Sequence, residues 1–324
     1  MTQRHSRKSD PDDLLKYRFA WAAQGAKSDW ATEETPSSER VRGGAIFRVS
    51  APLMDFSWEG VGCGLREDIC IVRPPADFPW NDRAITYFLS EEEQENAKAA
   101  DHWIAIQQTS HDIVSASAKI NAFLICLWMI RPTLTHVSMR FEQTPDGLNV
   151  SRVLERFQWI KDQLYSDLAN EHIDSAGKVL PKLLTVYETR SCLRNALVLT
   201  FRGCISKDWQ SAFICFAAAV EGLLIHAKNS GLTQQLANAY EKLVCRYGNE
   251  SQDAYNRFVR LYNVRSQVVH GRAYVRERST VNLTDLTEFS NVLRQLWRIV
   301  LENDEVRERL EQDDEGRARF FAML

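Results

Sequence analysis

The chain has 324 residues, with 40 basic and 43 acidic side chains, a formal charge of -3 and a pI near 6.2. Hydrophobic residues at 44% and charged residues at 26% lie near globular averages, which excludes a wholly disordered chain, a collagen-like repeat and a coiled-coil rod. The balance of charge also excludes a protein that coats nucleic acid or a membrane through bulk charge, while leaving a local basic site open. The length predicts about two domains.

Seven cysteines, with no CxxC among them, sit mostly in apolar helical stretches and point to a reducing compartment. The N-terminus MTQRHSRKSDPDD has no apolar core of a secretory signal. The longest apolar run, AFLICLWMI (122–130), is nine residues, against the ~20 needed to span a bilayer. A soluble, cytoplasmic protein without membrane contact is expected.

In chain order, residues 1–40 are polar and broken by SDPDD and TEETPSSER, which predicts a flexible lead with one short helix near Leu14–Ala23. Strand character follows at 45–50, near Phe56–Val61 and at 68–74, separated by turns such as WEGVGCG. A helix is predicted after Ser90, where Ser-Glu-Glu-Glu supplies a cap and an acidic first turn. Helical spacing runs from about Asp112 to Ile130 and stops at Arg131-Pro132. The segment 136–150 alternates around Pro-Asp-Gly and reads as a hairpin. Helices are predicted at 151–169, 181–204, 208–228, 232–247, 252–270 and 284–303, with Pro181 in a first turn and Gly231 and Gly271 after helix ends. The expected fold class is mainly α, with a small α+β N-terminal region and a C-terminal helical bundle. The expected division is a lead over 1–40, a mixed region over 41–150, a helical domain over 151–304 and a charged helix or tail over 305–324.

Phosphate-loop, dinucleotide, zincin and nucleophile-elbow motifs are all absent from the sequence. Asp101, His102, His111 and Asp112 lack metal-ligand spacing and read as surface polar residues around a helix. His226 reads as a packing residue, and Trp103, Trp128, Trp159, Trp209 and Trp297 as helical core positions. The mixed charges of 305–319 read as a solvated helix face, and the apolar end Phe320–Leu324 as a segment that docks on the bundle or on a partner.

The informative segment is RLYNVRSQVVHGRAY (260–274), in which Phe258, Leu261, Val264 and Val268 mark the core face of a helix. Arg265 and His270 are five positions apart, about 140° around an ideal helix, so one helix does not aim both at one point. His270 falls in the last turn, where the dipole favours imidazolium. A mobile proton beside a permanent guanidinium suits binding and protonating a phosphodiester. From Ser251 to Thr280 six arginines face two acids, a local +4 in a chain of -3. That basic stretch offers Arg260, Arg272 and Arg276 as phosphate contacts. Glu221, in the otherwise apolar helix 211–227, is expensive to bury unpaired and is expected to orient Arg265 or His270.

The segment LYNVRSQVVHG (261–271) resembles the Arg-x4-His signature of the HEPN superfamily, and more narrowly the Apea-like HEPN family, in which Leu-Tyr precedes Arg-Ser and Val-His-Gly ends the helix. The helix SAFICFAAAVEGLLIHA, with Glu221, is similar to that family's Ala-Leu-Glu-rich helix, and the resemblance covers roughly 110–300. It implies a HEPN-type bundle that dimerises and places two Arg/His motifs in one cleft. It further implies metal-independent cleavage of RNA without a cofactor, Arg265 and His270 being the catalytic pair, supported by Tyr262, Ser266 and Gly271, with the phosphate contacts of Arg260, Arg272 and Arg276 made to RNA. Such proteins serve as toxic effectors in anti-phage defence, restrained by an antitoxin or sensor protein. Ser266 stands where many active members carry Asn, Asp or His. The family also contains catalytically silent modules that bind RNA or a protein partner, the alternative carried here.

Overall fold

The structure is a computed structural model that describes residues 46–109, 114–144, 147–153, 167–189, 192–225, 231–248, 253–269 and 283–324. The predicted N-terminal lead and its short helix lie outside these residues. The chain divides into two units: described residues up to Ser117 together with those from Thr135 to Val153, and Ala118–Leu134 together with the described residues from Asp167 onward.

In the first unit, β-branched and aromatic residues form a six-stranded antiparallel sheet of order β2-β3-β4-β1-β5-β6. The strands are β1 (Ile46–Pro52), β2 (Cys63–Arg66), β3 (Ile69–Val72), β4 (Trp103–Thr109), β5 (Met139–Thr144) and β6 (Gly147–Arg152). β1 is central, pairing with β4 from Ile46↔Thr109 to Pro52↔Trp103 and with β5 at Val49↔Glu142. Two sequence expectations change here. The segment near Phe56–Val61 is not a strand; β2 begins at Cys63, inside the predicted turn WEGVGCG. Trp103 lies on β4 rather than on a helix. β4 sits between β3 and β1 with Trp103, Ile104, Ala105 and Ile106 all buried, so it lacks the alternation that marks a strand with one wet face.

Two helices accompany the sheet, α1 (Arg83–Phe88) and α2 (Glu91–Ala99). α2 begins as its sequence predicts: the Glu93 amide donates to Ser90 Oγ at 3.2 Å and the Ser90 amide to Glu93 Oε2 at 2.7 Å, a reciprocal cap. Arg152 on β6 grips the same carboxylate through Nε at 2.7 Å and Nη2 at 2.8 Å. Trp103 stacks on Phe141 at 5.2 Å within a core that includes Phe78, Ile85 and Leu89. His102 is also buried, at 1% exposure, between Phe56 and Trp58, with Nε2 2.7 Å from the Gly60 carbonyl. It is therefore not a surface polar residue, because it enters the sheet one position before β4. His111 and Asp112 lie outside the described residues.

The second unit is helical: α3 (Ala116–Ile130, from Ala118 onward), α4 (Asn170–Glu188), α5 (Cys192–Ile205), α6 (Trp209–Leu224), α7 (Leu232–Tyr247), α8 (Ala254–Val269), α9 (Leu283–Glu302), α10 (Asp304–Leu310) and α11 (Asp314–Met323). The predicted helix over 151–169 fails at both described ends: Ser151 and Arg152 finish β6, and Leu168 and Ala169 precede α4. The predicted helix over 181–204 is two helices. α4 starts at Asn170 and runs through Pro181, which forfeits one intrahelical bond, and α5 starts afresh at Cys192. α6 stops at Leu224, where Ile225 turns extended, rather than at 228.

α6 is strongly apolar and buries Phe213, Phe216, Val220 and Leu223, while Ile214 stays 42% exposed. It lies so close to α5 that a Cβ on Gly203 would meet Phe216 Cε1 at 2.3 Å. Phe213 stacks on Phe289 of α9 at 4.8 Å, and buried Trp297 donates its indole N–H to Thr200 Oγ1 at 2.9 Å. The C-terminal segment is two helices, not one solvated face. Arg317 is 3% exposed and donates through Nη2 to the last carbonyls of α6, Gly222 at 2.9 Å and Leu223 at 2.5 Å. Phe320 and Phe321 are buried, and Lys242 Nζ donates to the Phe321 carbonyl at 2.6 Å, so the apolar end docks within its own unit.

Candidate functional site

Tyr262 and Arg265 are three positions apart on α8 and so share one face. That face meets the last turn of α6, where Glu221 resides. The Tyr262 hydroxyl donates to Glu221 Oε1 at 2.5 Å, and Arg265 Nε lies 2.9 Å from the same oxygen. The guanidinium carbon of Arg265 is 5.7 Å from the Tyr262 ring centre, a cation–π contact. Tyr262 stacks in turn on Phe258 at 5.8 Å, which anchors the triad in the bundle core. Glu221 thus orients Arg265 directly.

The electrostatics explain the arrangement. A carboxylate in the last turn of α6 sits at the negative end of the helix dipole, so it needs donors. Arg265 supplies the charge and Tyr262 the hydroxyl. Burial and the bond to Glu221 push the Tyr262 phenol well above its ordinary range, so it remains a donor at neutral pH. Arg265 is engaged through Nε, and its terminal nitrogens make no hydrogen bond among the described residues. Its side chain is 37% exposed and lines a groove of about 390 Å³.

The groove joins α8 to the start of α7. Tyr262, Asn263, Arg265 and Ser266 form one wall, and Thr233 and Gln234 the other. Gly231 caps α7 at φ 88°, in the left-handed region, without a side-chain hydrogen bond. The chain therefore turns sharply into α7, and the cap residue itself has no side-chain oxygen to offer the first-turn amides. Chemically, the groove combines one exposed guanidinium edge with hydroxyl and amide groups that can donate to phosphate or base oxygens.

Ser266 is exposed on the groove wall beside Arg265. Arg260 is drawn away from any free role: Nη1 donates to Asp285 Oδ1 at 2.8 Å and Nη2 to Glu288 Oε2, both on α9. His270, Gly271, Arg272, Arg276 and His226 lie outside the described residues. Among the described residues no group of three or more His, Cys, Asp or Glu is placed to hold a metal, and no helix is long and apolar enough to cross a membrane. Thr233, Gln234 and Asn263 are wall residues that sequence reasoning passed over. Asn263 could have been found from its place between Tyr262 and Arg265, whereas nothing in the sequence links α7's first turn to α8. No protein-family model, curated protein or solved structure matches this chain.

Proposed function

We propose that the protein is a metal-independent endoribonuclease of the HEPN type, acting as a homodimer in the cytoplasm as a toxic effector of anti-phage defence, held in check by an antitoxin or sensor protein. The observation that carries the reading is the Glu221–Tyr262–Arg265 network. It fixes a guanidinium beside an open groove, five residues before His270 in an Arg-x4-His sequence. Arg265 holds the scissile phosphate and stabilises charge developing on its oxygens. His270 moves protons as the ribose 2′-OH attacks phosphorus and the 5′-oxygen leaves, giving a 2′,3′-cyclic phosphate and a 5′-OH. Two chains supply the Arg and His that one helix splays apart.

The test is incubation of end-labelled RNA with the protein in EDTA, beside His270→Ala and Arg265→Ala. Cleavage lost in each variant and partly restored by mixing the two supports the shared site. Loss of cleavage on adding EDTA, or full activity of His270→Ala, refutes it. One observation favours a second reading, a non-catalytic module that binds RNA or a protein partner: the Arg265 charge is already balanced by Glu221. RNA binding without cleavage by the parent protein would support that alternative.

A further inference from the structure

Glu221 meets Tyr262 and Arg265 from the last turn of α6, so the direction of that turn sets the direction of the guanidinium. Side chains stand about 5–6 Å from a helix axis, and a roll of ~10° would carry the carboxylate roughly 1 Å. Hydrogen bonds from nitrogen to oxygen hold over a window of about 0.5 Å, so the network needs the end of α6 held still. α5 holds one side, where a Cβ on Gly222 would lie 3.3 Å from Ala196 Cβ.

The C-terminal helix α11 holds the end itself. Arg317 is buried, and its Nη2 joins the carbonyls of Gly222 and Leu223, the two residues directly after Glu221. Among the described residues Arg317 forms no ion pair, and its buried Nε has no hydrogen-bond partner. A guanidinium is expensive to bury without a carboxylate. Capping alone does not require that expense, since water satisfies carbonyls at many helix ends. The same helix reaches the element that forms the facing wall of the groove: Lys242 of α7 donates through Nζ to the Phe321 carbonyl at 2.6 Å, and α7 carries Thr233 and Gln234 at its start. Buried Phe320 and Phe321 anchor α11 in the core. α11 is thus tied both to α6, which carries Glu221, and to α7.

We propose that Arg317 is a positioning residue for Arg265, acting through the end of α6 and Glu221, and that α11 is thereby a working part of the groove. A cation at the negative end of the α6 dipole is favourable there, and one nitrogen shared by two carbonyls resists a roll of the last turn. The use made of Arg265 rests on the function proposed above; its positioning by Arg317 does not.

Nitrogen-15 spectra of the arginine Nε–H groups in the full chain test the proposal, with the Arg265 resonance assigned by its absence in Arg265→Lys. In the parent, the bond to Glu221 protects that proton from exchange with water. Arg317→Met removes both carbonyl bonds and keeps a buried stem. It is expected to shift the Arg265 resonance toward its position in Glu221→Gln and to speed its exchange roughly tenfold. Arg317→Lys, which keeps a charge and a donor, restores part of the shift. Lys242→Met, at a half-buried position, moves the resonance the same way by less. Trp297→Phe loses the buried bond to Thr200, so it lowers the melting temperature while leaving the resonance in place, which separates positioning from general stability. An Arg265 resonance unmoved in Arg317→Met overturns the proposal; should that chain not fold, a resonance unmoved in both Arg317→Lys and Lys242→Met overturns it. A resonance that moves as expected in a protein without ribonuclease activity upholds the role of Arg317 and refutes the function proposed for the groove.

Discussion

Replacing Tyr262 with phenylalanine removes one oxygen and keeps the ring that stacks on Phe258 and faces Arg265. The lost bond is a hydroxyl donating to a carboxylate at 2.5 Å, and hydrogen bonds to charged groups contribute about 1.5–3 kcal/mol. Glu221 retains 22% side-chain exposure, so solvent screens part of that, and about 1.5 kcal/mol is expected for Tyr262→Phe. Glu221→Ala removes the same bond and the Arg265 pair, a further ~0.5–1 kcal/mol given the exposure of the guanidinium. Urea unfolding of the parent, both single variants and the double variant gives the coupling energy, expected to be about 1.5 kcal/mol because both single variants lose the same bond. The phenol also carries a pH signature. Its folded pKa is raised by burial and by Glu221, so the stabilisation is fully present below the unfolded value near ~10 and is lost as pH rises toward the folded one. The parent should therefore lose stability above about pH 10 more steeply than Tyr262→Phe. Additive single effects, within ~0.5 kcal/mol, together with parallel alkaline profiles would refute the network.

In the first unit, Arg152 and the reciprocal cap hold the Glu93 carboxyl down at about 2, largest through the Arg152 bond. That stabilisation is present above the ordinary carboxylate value near ~4.3 and lost as pH falls toward the folded one. Glu93→Gln should lower stability by about 1 kcal/mol at neutral pH, a surface-pair magnitude, and flatten the fluorescence-monitored acid transition. In the second unit, Gly203→Ala gains up to ~1 kcal/mol of helix propensity but drives a Cβ to 2.3 Å from the Phe216 ring. Overpacking of this kind costs about 1–3 kcal/mol, so a net fall in melting temperature is expected. An unchanged or raised melting temperature would mean that α5 and α6 are not in close contact there.

Local chemistry was readable wherever one short segment holds the whole cause. Ser90 and Glu93 announce their cap, and the spacing of Tyr262 and Arg265 announces a shared face. Reading failed where tertiary contacts decide. β4 is buried almost throughout, so its apolar run carries no strand period, and the nearby helical signals masked it. Pro181 looks like a helix start, yet α4 passes through it because Ile173, Ala176, Leu180 and Leu183 bury one continuous face on both sides of the proline. The core helices were legible, since α6 is strongly apolar and α9 keeps one continuous apolar face. The groove was not, because Gln234 and Arg265 are brought together only by the packing of α7 on α8.

Glu221 poses the question of whether its network exists for the fold or for the groove. A carboxylate in the last turn of an apolar helix opposes the dipole and, among the described residues, is stabilised through Arg265 and Tyr262. Removing one partner leaves a half-buried charge uncompensated, whereas replacing all three by apolar groups of similar shape is often neutral or stabilising. The combined variant Glu221→Leu, Arg265→Met, Tyr262→Phe should therefore unfold within about 1 kcal/mol of the parent, although Glu221→Ala alone loses about 2 kcal/mol. Under the proposed function it should also lose RNA cleavage. A stable but inert triple variant means that the ion pair is kept for the guanidinium it presents to the groove. A triple variant less stable than Glu221→Ala would assign the network to the fold instead, and would leave Arg265 without a role that its neighbours were built to support.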